Sequence, residues 1–292
     1  MSPLGPLRLL TGRARLEAVS TLLQRRRNEH PTLGSFEAAD LQWWWRSPRP
    51  TDDQPQPCWF DADGPVAAVT ATKWGEEVGL DVHVLPSLAA DDVAHVWAAA
   101  FELVGCEAQV FAWCSDDDPM GASLLADRGY VLVDDGDVSG WMDAAAVPCV
   151  APLADGYRLH SRADRPDGGH PLVARNGPDV EVRLRQTSLY RPDLDLMVLT
   201  EADEWAGYAV CWYDPVTGVG VVEPMRTADD HQRRGLARHL LTCGLDRLVD
   251  LGAERIRISW KADNPAASAL YPGVGFARRN GCTPMRRNAE QR

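Results

Sequence analysis

The sequence predicts an α/β (α+β) protein built as two tandem domains, each a mixed, mostly antiparallel sheet flanked by helices. Three observations carry this. Short apolar runs of strand character alternate with segments of helical period in both halves of the chain. The stretch DNPAASALYPGVGF (263–276), moved back by 146 positions, falls without a gap on DDPMGASLLADRGY (117–130), so that Asn264 meets Asp118, Pro265 meets Pro119, Gly275 meets Gly129 and Phe276 meets Tyr130. The order of elements upstream of the two stretches is also the same, which favours duplication over the chance likeness of two capped helices. The expected domains are residues 1–146 and 147–292.

The elements follow in order. Residues 13–27 and 36–46 have helical character, CWFDA (58–62), PVAAVTAT (65–72) and GLDVHVL (79–85) read as strands, and DDVAHVWAAAFELV (91–104) returns to helical period. AQVFAWC (108–114) reads as a buried strand, PMGASLLADRG (119–129) as a helix with Pro119 in its first turn, and two short strands follow to about Asp143. AAAVPCVAPLADG (144–156) is small, holds two prolines and has no period, as a linker or an edge strand leading to one would.

The second half repeats the plan. GYRLHSR (156–162) is a strand, followed by a polar stretch and a helix. LDLMVLT (194–200) and GYAVCWYD (207–214) form a hairpin with EADEWA between them. GVGVVEPMRT (218–227) is a strand carrying Pro224, which has no N–H for a ladder and so marks a bulge or a break. GLARHLLTCGLDRLVDLG (235–252) sets Leu236, Leu240, Leu241, Leu245 and Leu248 near one helix face. ERIRISW (254–260) is a strand, and NPAASALY (264–271) a helix with Asn264 as cap and Pro265 at its first position.

Composition bounds the function. The 292 residues carry a formal net charge of −12, which argues against a nucleic-acid partner and suits a cationic substrate or simple solubility. No run of about 18 apolar residues is present, so no membrane partner is expected. The start, MSPLGPLRLLTGRARLEAV, is broken by Pro and Arg and is a poor signal peptide, so a cytoplasmic location is expected. The seven cysteines are scattered without CxxC or Cys/His spacing, which points to reduced, mostly buried thiols and to no metal. In QWWWR (42–46) the three adjacent tryptophans cannot share one helix face, so packing is expected of most of them rather than an aromatic cage.

HQRRGLARHLL (231–241) places Arg233, Arg234 and Arg238 around Gly235 where a helix begins. The first N–H groups of a helix lack intrahelical partners and sit at its positive end, and a glycine there lets a ligand approach the backbone. Such an end binds anions, and neighbouring arginines add charge-assisted bonds. Taken alone, the same residues also read as a solvated helix face.

They do not stand alone. Gln232, Gly235 and Ala237 match the Gln-x-x-Gly-x-Ala form of the acyl-CoA-binding motif of the GNAT superfamily of N-acyltransferases. Asn264, Ala267, Tyr271, Gly275 and Phe276 match that family's Asn-x-x-Ala-x-x-x-Tyr-x-x-x-Gly-Phe pattern. The resemblance is strong over about 195–280 and rests on element order alone over 1–143, so the chain resembles a tandem GNAT protein. It implies an enzyme that moves the acetyl group of acetyl-CoA directly to a primary amine in a ternary complex. The acceptor is a small-molecule or peptide amine; a mycothiol-synthase-like enzyme is a narrower form, and a non-catalytic acyl-CoA sensor or scaffold the alternative.

The resemblance also implies the site. The pyrophosphate of acetyl-CoA would lie on the backbone of Arg233, Arg234, Gly235, Leu236 and Ala237, with Gln232, Arg238, Asn264 and Ala267 beside it, and the pantetheine along Met225 and Thr227. Tyr271 is the candidate general acid and Glu223 the candidate base, with a backbone N–H near Thr227 as oxyanion donor. Tyr271 also reads as a core residue, Glu223 as one half of a structural ion pair, and Asp214, Glu181 or an ordered water as other bases. Pro272 directly after Tyr271 is expected to end the helix early. Trp205, Trp212 and Tyr213 are weaker acceptor-pocket candidates. The first half has no Gly, Arg or Lys between Leu80 and Val104 and has Leu125 in place of Tyr271, so it is expected to be a degenerate domain.

Overall fold

A computed structural model describes residues 4–105, 107, 109–133 and 136–287. The chain forms two compact units that interleave in sequence. One holds residues up to 41 with 48–137 and those from 280 onward, and the other holds 42–47 with 138–279.

In the first unit, β1 (Leu7–Leu10), β2 (Gln56–Asp61), β3 (Gly64–Trp74), β4 (Glu77–Val84) and β5 (Val110–Ser115) lie in that order. Beside them run α1 (Gly12–Glu29), the start of α2 (Ala38–Trp44), α3 (Ala90–Leu103) and α4 (Pro119–Ala126). All of these strand pairs are antiparallel except β4 with β5. The sheet is completed from the far end of the chain. In β13 (Ala277–Arg287), Cys282 to Arg286 pair antiparallel with Ser115 to Phe111, and β6 (Tyr130–Leu132) pairs on β13 as well. Neither β1 nor β13 is legible in sequence: the former is short, and ARRNGCTPMRR has no alternation and contains a proline.

The second unit orders its strands β7 (Asp137–Asp143), β12 (Arg255–Lys261), β11 (Val219–Thr227), β10 (Trp205–Asp214), β9 (Asp195–Thr200) and β8 (Tyr157–Ser161). β11 with β12 is its parallel pair, while β8–β9, β9–β10 and β10–β11 are antiparallel. The fold is thus the expected mixed, mostly antiparallel sheet with helices. The polar stretch after β8 holds two short helices, α5 (Val173–Asn176) and α6 (Val180–Leu184), where one is expected. The β9–β10 connection is also shorter than expected, because β10 already begins at Trp205.

α7 (Leu236–Asp250) builds the core of this unit. Leu236 and Leu240 pack with Leu196, Val198, Ala206 and Ala209, while Leu241, Leu245 and Leu248 pack with Val222, Ile256 and Ile258. Each of these leucines is buried, worth about 1.5–3 kcal/mol of transfer free energy apiece. Gly244 lets the helix lie close on β10, since a Cβ there would stand 2.4 Å from the Cys211 sulfur.

The QWWWR segment packs, as its sequence suggests. Its Gln42 side chain donates to Ser188 Oγ at 2.9 Å and accepts the Leu189 N–H at 2.9 Å. Trp45 donates its indole N–H to Gln186 Oε1 at 3.0 Å, and Arg183 stacks 3.5 Å over the Trp45 ring. Trp43 and Trp45 are buried. The cysteines among the described residues are free thiols, with Cys58, Cys211, Cys243 and Cys282 buried, and Cys106 lies outside those residues. No helix of the described residues is long and apolar enough to cross a membrane.

In the first unit, the parallel pairing of β4 with β5 ends at Leu80 opposite Ala112. The next residue, Asp81, is buried with Oδ1 lacking any hydrogen-bond partner among the described residues, and burial pushes its carboxyl up to about 7. His83, two residues on, is pushed down to about 3 by burial and by Arg26. An unfolded aspartate titrates near 3.9, so the fold holds a proton on Asp81 that the unfolded chain releases above that pH. Stability contributed by this group is therefore complete below about pH 4 and lost as the pH rises towards 7. Denaturant midpoints of the wild type and Asp81→Asn across this range are expected to diverge in favour of the variant as pH rises. A pH-independent difference would mean that the carboxyl is ionised in the fold.

Candidate active site

The second unit opens a gap between its parallel strands. β11 and β12 pair from Val219 opposite Arg255 to Val222 opposite Ile258 and then part. On its other edge β11 stays on β10, with Met225 opposite Ala209 and Thr227 opposite Gly207. Between these registers Glu223 and Pro224 together face the single residue Val210, which is a β-bulge at the proline, and the Glu223–Pro224 peptide is cis. Trp212 anchors the bulge by donating its indole N–H to the Glu223 carbonyl at 2.6 Å.

The N-terminus of α7 lies at this gap. Arg233 and Gly235 both adopt left-handed backbone, with φ of 62° and 79°. The first helical bond is from the His239 N–H to the Gly235 carbonyl at 3.0 Å, which leaves the N–H groups of Leu236, Ala237 and Arg238 without intrahelical partners. No side chain caps this end, and a Cβ built on Gly235 would meet nothing within 4 Å.

α8 (Pro265–Val274) supplies the third wall. The Asn264 side chain accepts the Ala267 N–H at 3.2 Å and caps the helix, as its sequence predicts. The expectation that Pro272 ends the helix early is wrong: α8 continues through Pro272 to Val274. One proline in the last turn removes a single hydrogen bond, and the helix instead closes at Gly275 (φ 123°), whose N–H bonds the carbonyls of Tyr271 and Pro272. Tyr271 is buried, with its ring edge-on to Trp260 at 5.3 Å and to Phe276 at 6.4 Å. Burial, with the Glu223 charge second, pushes its phenol up to about 12.

These walls enclose a cleft of about 820 Å³. Met225, Thr227, Gln232, Arg233, Gly235, Leu236, Ala237, Arg238, Asn264, Ala267 and Tyr271 all line it. Arg234 is not among its lining residues, and its guanidinium donates to the Asp230 carbonyl at 3.4 Å. Glu223 is not a lining residue either, although its charge acts on Tyr271. Of the other carboxylates considered, Glu181 is held by Arg162 and Arg185, and Asp214 accepts the Val216 N–H in the turn after β10. Trp212 is fully buried and Trp205 exposed.

The family model for Acetyltransferase (GNAT) matches residues 153–276, the span that contains every wall of this cleft. The C-terminal half of the chain thus resembles a GNAT domain. A mycothiol acetyltransferase of Sanguibacter keddieii is 30% identical over 210 residues, which is 61% of this chain and 64% of that protein. A mycothiol acetyltransferase of Corynebacterium aurimucosum is 40% identical over 58 residues, 20% of this chain and 19% of that one. The matches therefore span less than two thirds of the length of these curated relatives. Among solved structures, a tandem GNAT protein from the clavulanic acid biosynthesis pathway aligns with a TM-score of 0.69 at 15% identity, over 98% of this chain and 99% of that one. A GCN5-related N-acetyltransferase from Sphaerobacter thermophilus gives 0.63 at 14%, over 97% and 95%. At such identities the likeness is one of fold, and it extends across both halves.

Residues that sequence reasoning missed also gather around the cleft. Arg226, His231 and Leu270 line it, and His231 Nδ1 lies 2.9 Å from the Tyr157 hydroxyl. Arg46, the last residue of QWWWR, feels the Glu223 charge, although burial lowers its pKa overall. No local pattern marks Arg46, since it reaches this neighbourhood only through packing.

The left-handed backbone at Gly235 sets a cost for any side chain there. Gly235→Ala is expected to lower unfolding free energy by about 1 kcal/mol in denaturant titration, although the new methyl group meets open space. An unchanged midpoint would mean that the turn relaxes to another conformation.

Proposed function

We propose that this chain is an N-acetyltransferase that binds acetyl-CoA in its C-terminal unit and passes the acetyl group directly to an amine in a ternary complex. The observation that carries this reading is the coincidence, around one cleft, of an uncapped helix N-terminus, a strand parted from its neighbour and a buried tyrosine. The cleft suits the cosubstrate chemically. Backbone N–H groups of Leu236, Ala237 and Arg238 face it at the positive helix end, the absent side chain of Gly235 leaves space, and Arg233 and Arg238 add positive charge for a pyrophosphate. Met225 to Thr227, free of β12, offer backbone groups to an amide-bearing pantetheine arm, with Asn264 and Ala267 on the opposite wall.

Acetyl-CoA brings an activated thioester, and the protein has to manage two protons and one developing charge. Glu223 takes the proton that the attacking amine releases, directly or through water. A backbone N–H near Thr227 donates to the carbonyl oxygen as it becomes anionic. Tyr271 faces the departing sulfur. A phenol held near 12 keeps its proton, and full transfer to a thiolate whose conjugate acid lies near 8.5 is uphill, so Tyr271 acts by donating a strong hydrogen bond.

A second site in the first unit is unfavoured. α3 starts at Ala90 with Asp91 and Asp92 in its first turn, so its positive end is already answered by carboxylates. Leu125, which aligns with Tyr271, is fully buried and carries no proton to donate. The relatives' name, mycothiol acetyltransferase, supports acetyl transfer, and a small-molecule or peptide amine remains the acceptor class.

Release of CoA thiol in the presence of a panel of amines tests the reading. Tyr271→Phe and Glu223→Gln are each expected to lower kcat by about 10²-fold while acetyl-CoA binding survives. Unchanged turnover in both variants would contradict the catalytic assignment. Binding of acetyl-CoA with no turnover of any amine would favour the sensor.

A further inference from the structure

Tyr157, the first residue of β8, and His231, the last residue of the short turn before α7, are 74 positions apart in sequence and meet in space. The Tyr157 hydroxyl lies 2.9 Å from His231 Nδ1, and the two rings pack edge-on with centroids 5.7 Å apart. Both partners are held. Tyr157 packs on the cluster of Leu236 and Leu240 at the start of α7, and its place in the sheet is fixed opposite Thr200. The His231 N–H donates to the Ala228 carbonyl at 2.9 Å. His231 lines the 820 Å³ cleft, and it also lines a neighbouring cavity of about 450 Å³ with Trp205 and Asp230. It therefore stands at the boundary between the two.

The other ring nitrogen is unused. His231 Nε2 has no hydrogen-bond partner, and the ring no carboxylate partner, among the described residues. The two aspartates before it are placed otherwise. Asp229 accepts from Gln232 Nε2 at 3.2 Å and lies 3.6 Å from Arg226, while Asp230 lines the neighbouring cavity and not the cleft. The hydrogen bond at one nitrogen of a histidine is tied to the state of the other. An ionised phosphate oxygen only accepts, so it selects the form with a proton on Nε2, and Nδ1 then accepts the Tyr157 proton. A hydrogen bond to a charged acceptor is also worth more than one to the uncharged amides of a pantetheine arm.

We propose that His231 is a phosphate ligand of the acyl-CoA cosubstrate, donating from Nε2, and that Tyr157 positions it. The inference rests on the acetyltransferase reading, and adds a side-chain donor to the backbone N–H groups at the start of α7. His231 touches the cosubstrate far from the reacting atoms, and Tyr157 acts through His231, so both govern cosubstrate affinity and neither moves a proton in acetyl transfer.

Calorimetric titration of the full chain with acetyl-CoA, its 3′-dephospho form and S-acetylpantetheine, which lacks every phosphate, tests this. His231→Phe keeps an edge-on ring and loses both nitrogens. It is expected to weaken acetyl-CoA at least about tenfold and to leave S-acetylpantetheine unchanged. A loss shared by the dephospho form places the contact on the diphosphate, and a loss confined to acetyl-CoA places it on the 3′-phosphate. His231→Gln, whose amide can donate from near the Nε2 position, is expected to recover part of the affinity. Tyr157→Phe removes only the hydroxyl. It is expected to weaken acetyl-CoA about threefold in the wild-type background and not at all beside His231→Phe. In turnover, the change is expected in KM for acetyl-CoA rather than in kcat. An equal loss for S-acetylpantetheine, unchanged affinity in His231→Phe, or a Tyr157→Phe effect that persists beside His231→Phe would overturn the proposal. Failure of the wild type to bind acetyl-CoA would instead overturn the acetyltransferase reading and this inference with it.

Discussion

Two parallel strands in the interior of a sheet normally satisfy each other's backbone along their whole length, because buried N–H and C=O groups have no water to turn to. β11 and β12 do so only as far as Val222 and Ile258. Past that point the edge of β11 depends on the bulge at Glu223 and Pro224 and on continued pairing with β10 to keep its course. The polar groups around the gap are under-satisfied by protein alone: the Thr227 hydroxyl and the Arg226 Nε are buried without hydrogen-bond partners among the described residues. A region so arranged is stable when a polar ligand completes it, and the uncapped start of α7 and the capped start of α8 border the same opening.

The first unit shows how little of this chemistry the fold itself requires. Its parallel strands also part after a short ladder, and the residue just beyond the last pair is again a carboxylate, Asp81 where the second unit has Glu223. There the likeness stops. Asp81 is wholly enclosed, whereas Glu223 is half-buried, and α3 begins with aspartates where α7 begins with arginine and glycine. Of these two helix starts, only that of α7 is free of acidic residues in its first turn. The acidic first turn of α3 would repel an anion, whereas the left-handed Gly235 leaves the backbone at the start of α7 open.

Much of this was legible from local chemistry. Asn264 with Pro265 announces a helix start, the leucine spacing of α7 announces its buried face, and Pro224 announces the bulge, because each effect is confined to a few neighbouring residues. What escaped depends on partners distant in sequence. β13 has no strand pattern of its own and becomes a strand through pairing with β5, some 170 residues earlier by numbering. Arg46 meets Asn176 and feels the Glu223 charge only because residues 42–47 pack into the second unit. Pro272 misled for the opposite reason: the local preference is real, but the packing of Tyr271 against Trp260 and Phe276 and the closure at Gly275 outweigh it.

On the proposed reading, one helix N-terminus, that of α7, holds the cosubstrate. Calorimetric titration of the full chain with acetyl-CoA tests it most directly, run beside Gly235→Glu, which places a carboxylate in the open space at the helix end. One site per chain is expected in the wild type and none in the variant. Two sites per chain, or binding that survives Gly235→Glu, would contradict it.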